Sequence, residues 1–255
     1  MDTVIDVHDD GPVRTLTLSG HGRLNAIGES TADGLHDAIV AAERDGGVYA
    51  LVLTGAGDHF SAGGDAEGVR DVVSDEADDA LLRFMRAYQR AATAVWNSSL
   101  PIVASVSGVA YGGAFNLAMA CDLVVCSRDA RFCQVFLRRG VVPDFGGAYV
   151  LPRLVGLRKA KELMLLADEI DAGTALDLGL VNFVEESPQE TLARATSLAH
   201  RISAQSRMAV SMTKKLINSS AGGTLESSLE MEALSQASAL GSASSRVAFE
   251  RFRER

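Results

Sequence analysis

Along the chain, short apolar runs with β-branched alternation take turns with longer stretches of helical period. "PVRTLTLSG" (12–20) alternates apolar and polar positions and predicts a strand, and "YALVLTGAG" (49–57) is a short apolar run closed by a glycine turn, which predicts another. Between them, "ESTADGLHDAIVAAERDGG" sets Leu35, Ile39 and Ala42 on one helical stripe, with Ser30 or Thr31 as the cap and Gly46-Gly47 as the stop. A polar, acidic stretch from Asp71 to Asp79 leads into a long helix running through Ala94. "PIVASVSG" then predicts a buried strand, "GGAFNLAMA" a helix and "CDLVVCS" a further strand. After about residue 156 only "GLVNFVE" still reads as a strand, and from about Pro188 the chain is Ala-, Leu- and Ser-rich helix. This is an α/β core followed by a helical tail, divided at 1–195 and 196–255.

Composition narrows the function classes. The chain has 255 residues, 47% of them hydrophobic, enough for one large core. A formal net charge of -9 and only 5% aromatic residues argue against a nucleic-acid surface, which needs clustered Lys and Arg with stacking rings. The acidic start "MDTVIDVHDD" lacks the basic flank and apolar run of a signal peptide, and no stretch is apolar for the length of a bilayer, so a cytoplasmic protein with no membrane partner is expected. Cys121, Cys126 and Cys133 match neither a disulfide framework nor a zinc site, and the five histidines have no ligand spacing, so no metal is expected. His59, beside a glycine loop, is read as structural. No P-loop, GxGxxG turn or GxSxG elbow occurs.

Two glycine loops carry the candidate chemistry. "GAGDHFSAGGDAEGV" and "GVAYGGAFNLAMACD" each follow a strand with small residues and lead towards a helix. Glycine there lets backbone N–H groups reach a ligand unhindered, so two converging donors can hold a developing oxyanion, although ordinary strand-to-helix turns have the same composition. A third stretch, "RGVVPDFGGAYVLPRLVG", sets one carboxylate, Asp144, among apolar residues, either as the N-cap of the following helix or as a reactive group.

"GRLNAI", "HFSAGGD", "SGVAYGGAFNLAMACDLVV" and "ARFCQVFLRRGVVPDFGGAYVLPRLVG" resemble, in order and spacing, the motifs of the crotonase superfamily, the enoyl-CoA hydratases and isomerases, and "MTKKLIN" with the ending "VAFERFRER" resembles its C-terminus. The resemblance implies a spiral of β-β-α repeats, a helical C-terminal region that builds homotrimers or dimers of trimers, and an acyl-CoA substrate whose coenzyme A is the only cofactor-like group. It implies an oxyanion hole at the N–H groups of Gly64 and Gly113, with Asp65 bracing the loop. It places Arg23, Asn25, Ala26, Ser61, Ala62, Asp65, Asn116 and Phe136 along the substrate, with Lys214, Lys215 and the tail arginines towards the CoA phosphates.

The resemblance also has a break in it. Asn116 and Phe136 occupy the positions of the two glutamates with which the hydratases hold and polarise water, and neither residue can act as a base. Asp144 aligns with the catalytic aspartate of dienoyl-CoA isomerases and of the ring-opening isomerases of phenylacetate breakdown. The expected activity is therefore an acyl-CoA isomerase that moves a double bond or rearranges a ring by proton transfer through a thioester enolate. Val141, Val142, Phe136 and Phe145 are expected to desolvate Asp144 and raise its pKa. The alternatives are a hydratase using Asp144 alone and a catalytically silent acyl-CoA-binding homologue.

Overall fold

The computed structural model describes residues 3–20, 24–65, 78–220 and 222–253. A hairpin of β1 (Val4–Asp10) and β2 (Val13–Ser19) opens the chain. Helix α1 (Glu29–Arg44), β3 (Ala50–Gly55), α2 (Asp78–Asn97), β4 (Ile102–Val106), β5 (Val109–Tyr111), α3 (Gly113–Ala120), β6 (Leu123–Ser127) and β7 (Arg131–Cys133) follow. After a 3-10 turn at Val135–Arg139 come α4 (Gly147–Leu166), β8 (Ile170–Asp171), α5 (Ala172–Asp177), β9 (Phe183–Glu185) and α6 (Pro188–Ser203). The chain ends in α7 (Arg207–Ser220), α8 (Leu225–Leu240) and α9 (Ala243–Arg253).

The strands form a six-stranded sheet in the order β1-β2-β3-β4-β6-β9 and a small sheet, β5-β7-β8. Apart from the antiparallel β1–β2 edge the large sheet is parallel. Its central strands are covered on both faces, which is why they read as continuous apolar runs. Leu51 and Leu53 of β3 join Leu35 and Ile39 of α1 in the main core, whereas Ala50 and Val52 pack with Val103, Val125, Ala195, Leu198 and Ala199 in a second one. The two-residue period of a strand makes this division.

Each strand and helix expected from the pattern is found, with corrections at the edges. The cap of α1 is Gly28; Thr31 lies inside the first turn and its hydroxyl donates to the Thr3 carbonyl at 2.7 Å. Strand β1 was not legible because nearly all of its residues are exposed and its apolar and acidic positions do not alternate, and only its full ladder with β2 defines it. The boundary expected at 196 falls inside α6, whose Ala195, Leu198 and Ala199 pack on the sheet.

Lys214 is the clearest correction among the basic residues. Its Nζ is buried, bonded to Asp122 Oδ2 at 2.8 Å and to the Val95 and Leu100 carbonyls at 3.2 Å, so it fastens α7 to the core and cannot reach a phosphate. No described helix is long and apolar enough to cross a membrane.

Candidate functional site

The two glycine loops lie against each other. Ser61 and Ala110 form an isolated bridge, and Tyr111 N–H donates to the Ser61 carbonyl at 3.1 Å. A Cβ added to Gly63, which has φ 88°, would lie 2.4 Å from the Tyr111 carbonyl oxygen and 3.4 Å from Gly113 N. Only glycine allows both that angle and that approach.

Gly64 pairs with Ile27, but the pairing uses its neighbours: Ile27 N–H donates to the Gly63 carbonyl at 2.8 Å and Asp65 N–H to the Ile27 carbonyl at 2.9 Å. In a parallel bridge this turns the Gly64 N–H to the opposite side. Gly113 is the first residue of α3, where an N–H has no intrahelical acceptor and the helix dipole is positive. Among the described residues neither N–H has a hydrogen-bond partner.

The residues around the loops act as braces. Asn25 is buried at φ 54°; its Nδ2 donates to the Ala56 and His59 carbonyls at 2.9 and 2.8 Å, and its Oδ1 accepts from Gly20 N–H at 3.0 Å. Ser61 Oγ donates to the Asn25 carbonyl at 2.7 Å and accepts from Gly63 N–H at 3.1 Å. Ala62 N–H pairs with the Leu24 carbonyl, and Ala26 lies between Asn25 and the bridging Ile27. Thus the polar groups of Asn25 and Ser61 are spent on the loops. His59 Nδ1 accepts from Val109 N–H at 3.3 Å, a structural role as expected. Arg23 lies outside the described residues, as does most of the acidic stretch before α2.

Asp144 stands next to Gly113. A Cβ on Gly113 would lie 2.9 Å from Asp144 Oδ1 and 2.8 Å from the Phe145 ring. That oxygen is buried and has no hydrogen-bond partner among the described residues. Leaving a buried polar group unpaired costs about 1–3 kcal/mol, more for a charge. Burial pushes the Asp144 carboxyl up to about 7.

Asp144 is not a helix cap. The N-cap of α4 is Gly146, at φ 78°, and no side chain caps that helix. Nor do Val141 and Val142 shield the carboxylate: they are 48% and 77% exposed, on the outward side of the segment that follows the 3-10 turn. The apolar cover at this place is aromatic. Phe145 is buried, with its ring centroid 4.5 Å from that of Tyr88, and Phe84 lies 4.7 Å beyond Tyr88. Phe136 is buried and faces the second glycine loop, 3.6 Å from where a Cβ on Gly112 would sit.

Sequence reasoning missed Tyr88 and Gln134. The Tyr88 hydroxyl donates to the Ile27 carbonyl at 2.5 Å and lies 3.2 Å from a Cβ built on Gly64, so it ties α2 to the first glycine loop. Burial, with the nearby carboxylates of Asp144 and Asp65, pushes its pKa up and keeps it a donor. Gln134 Nε2 donates to Asn116 Oδ1 at 2.7 Å, and Asn116 Nδ2 donates to the Asp144 carbonyl at 2.9 Å. Both ends of the Asn116 amide are therefore engaged within the protein. A buried polar residue inside "FCQVFL" was the available signal for Gln134.

The three cysteines are buried and free, and among the described residues no group of three or more His, Cys, Asp or Glu could hold a metal ion. Two surface grooves, about 350 Å³ between α1 and α2 and about 640 Å³ between α7 and α8, contain none of the site residues. Chemistry and not concavity marks the site.

Comparison with known proteins gives the family. A sequence profile described as enoyl-CoA hydratase/isomerase matches residues 10–255. The 1,2-epoxyphenylacetyl-CoA isomerase of Escherichia coli (strain K12) is 33% identical over 226 residues, covering 88% of this chain and 86% of the relative. The short-chain-enoyl-CoA hydratase of Clostridium acetobutylicum is 34% identical over 224 residues, covering 88% and 84%. The crystal structure of an enoyl-CoA hydratase from Polaromonas sp. JS666 superposes with a TM-score of 0.94 at 29% identity, covering 98% of this chain and 97% of that one. With its paired glycine loops, its two sheets and a match along nearly its whole length, the chain belongs to the enoyl-CoA hydratase/isomerase family of the crotonase superfamily.

Proposed function

We propose that this enzyme is an acyl-CoA isomerase in which Asp144 carries a proton between two carbons of the acyl chain while the main-chain N–H groups of Gly64 and Gly113 hold the thioester oxygen. The observation that carries this reading is the half-buried Asp144 carboxylate beside Gly113, whose Oδ1 is buried and has no hydrogen-bond partner among the described residues, with its pKa pushed up by burial to about 7. A base of that pKa is half-ionised near neutrality, so it can take a proton and then return it.

On a 3-enoyl-CoA the carboxylate removes the α-proton, and the C–H electron pair moves into a dienolate whose negative oxygen accepts the two N–H donors. The neutral carboxyl then protonates the γ-carbon as the thioester carbonyl re-forms, leaving a 2-enoyl-CoA. Atoms and charge balance without a second base. Coenzyme A enters as part of the substrate, and the mechanism draws on no separate cofactor.

A hydratase reading has support from the Clostridium relative's name, but the two positions that hold water in the hydratases are Asn116, whose amide is fully engaged, and Phe136. Incubating the protein with 3-enoyl- and 2-enoyl-CoA and analysing the products separates the readings. Isomerisation without hydroxyacyl-CoA is expected, with kcat rising with pH through about 7 as Asp144 loses its proton. A hydroxyacyl-CoA as main product would overturn the isomerase assignment, and tight CoA binding without turnover would favour a silent homologue.

The tail supports self-association. Helix α8 has no buried residue, and Leu225, Leu229 and Leu234 are 70%, 53% and 64% exposed, with Phe249 of α9 also exposed. Such a run is covered most simply by a second and third copy, giving a homotrimer or a dimer of trimers. Sedimentation at micromolar concentration is expected to give a species of at least three chains; a monomer near 26.9 kDa would refute this.

A further inference from the structure

We infer that Asn116 and Gln134 form a clamp that positions the Asp144 carboxylate, so that the amide in the place of a hydratase glutamate has become a strut for the base on the neighbouring loop. The inference rests on the assignment of Asp144 as the proton carrier. Asn116 lies in the first turn of α3 and is 1% exposed. Its Nδ2 gives a hydrogen bond to the Asp144 carbonyl at 2.9 Å, and its Oδ1 receives one from Gln134 Nε2 at 2.7 Å.

Gln134 satisfies the other end of that amide. Without its donor Asn116 Oδ1 is left buried and unpaired, at a cost of about 1–3 kcal/mol, and the bond from Nδ2 to the Asp144 carbonyl loses its support. A second observation points the same way. The Asp144 carbonyl also accepts from Gly147 N–H at 2.9 Å, and Gly147 sits so close to the amide that a Cβ there would lie 2.2 Å from Asn116 Nδ2.

What the clamp holds is a strained turn. Phe145, immediately after Asp144, has φ 46°, and Gly146 has φ 78°. A bulky residue at positive φ persists only where its surroundings leave it no alternative. This turn places Phe145 under Tyr88 and Asp144 Oδ1 against Gly113. Releasing it lets the turn relax and water reach the carboxylate, which then behaves as an ordinary, weaker base set away from the substrate carbon.

The test is Gln134→Met, which keeps the volume and removes the donor, together with Asn116→Ala, read on α-proton exchange of 3-hexenoyl-CoA in deuterated water. For Gln134→Met we expect kcat lowered about 10-fold or more from the displaced base, KM changed less than twofold, and the midpoint of the pH–kcat profile moved from near 7 towards the ordinary carboxylate range. Asn116→Ala added to Gln134→Met should bring little further loss, since both break one clamp. A folded Gln134→Met protein with kcat within twofold of wild type and the same pH midpoint overturns the clamp, and it does so even if Asn116→Ala fails to fold. Loss in Asp144→Asn with none in Gln134→Met rejects the clamp alone, whereas full exchange by Asp144→Asn rejects the underlying assignment.

Discussion

Asp144→Asn is expected to lower the exchange and isomerisation of a 3-enoyl-CoA by roughly 10²-fold or more, the ordinary contribution of a general acid–base group. The amide keeps the size of the side chain and loses its proton chemistry. Loss of a cap cannot account for such an effect, because α4 is capped at Gly146 and the Asp144 side chain makes no cap bond. The same substitution should stabilise the fold at neutral pH. The unfolded chain releases the Asp144 proton near 3.8, whereas the folded chain keeps it until about 7. Between these values unfolding releases a proton, so wild-type stability falls as pH rises, and above about 7 the deficit is constant. Melting temperatures of the two proteins should therefore agree near pH 4 and differ by a few degrees at pH 8, with the variant higher, from a difference of about 1–3 kcal/mol. Equal exchange rates would leave the enzyme without this base, and a variant that melts lower at pH 8 would contradict the burial of a charge here.

Removing the Gly113 donor should cost as much, about 10²- to 10³-fold in kcat/KM, the usual effect of deleting one oxyanion-hole donor. Gly113→Pro deletes the N–H at a first helical position, where proline is tolerated. Proline also brings a Cβ, which would arrive 2.8 Å from the Phe145 ring and 2.9 Å from Asp144 Oδ1. Gly113→Ala brings the same atom and keeps the donor, so the ratio between these variants isolates the hydrogen bond. A cleaner form puts glycolic acid at position 113, turning the amide into an ester with no added atoms. Near-normal turnover by the ester protein would remove Gly113 from the anion hole.

Sequence by itself determined the local elements and the chemical alphabet of the site. The Leu35, Ile39 and Ala42 stripe fixed α1, and the apolar runs of β3, β4 and β6 fixed central strands, because periodicity is a property of neighbouring residues. The glycines at 63, 64, 112 and 113 were legible for a similar reason, as residues whose only advantage is backbone freedom. Family motifs singled out Asp144, and the loss of both hydratase glutamates was visible as Asn116 and Phe136.

Tertiary structure decided what those residues face. Whether Asp144 caps a helix or stands as a half-buried carboxylate depends on the φ of Gly146, on the adjacent Phe145, and on Tyr88 and Gly113, which approach from two other helices. Strand β1 exists through a ladder whose β1 side chains are nearly all exposed, with no alternation of apolar and polar positions to announce it. Lys214 looked like a surface cation within "MTKKLIN" until α7 folded it onto Asp122. Asn25, Ser61 and Asn116 looked like ligand contacts, yet their polar atoms bond to backbone and side chains up to 36 positions away. A side-chain hydrogen bond of this kind has no periodicity along the chain. Its partner is chosen by packing, and so the braces and the clamp of this site became visible only in three dimensions.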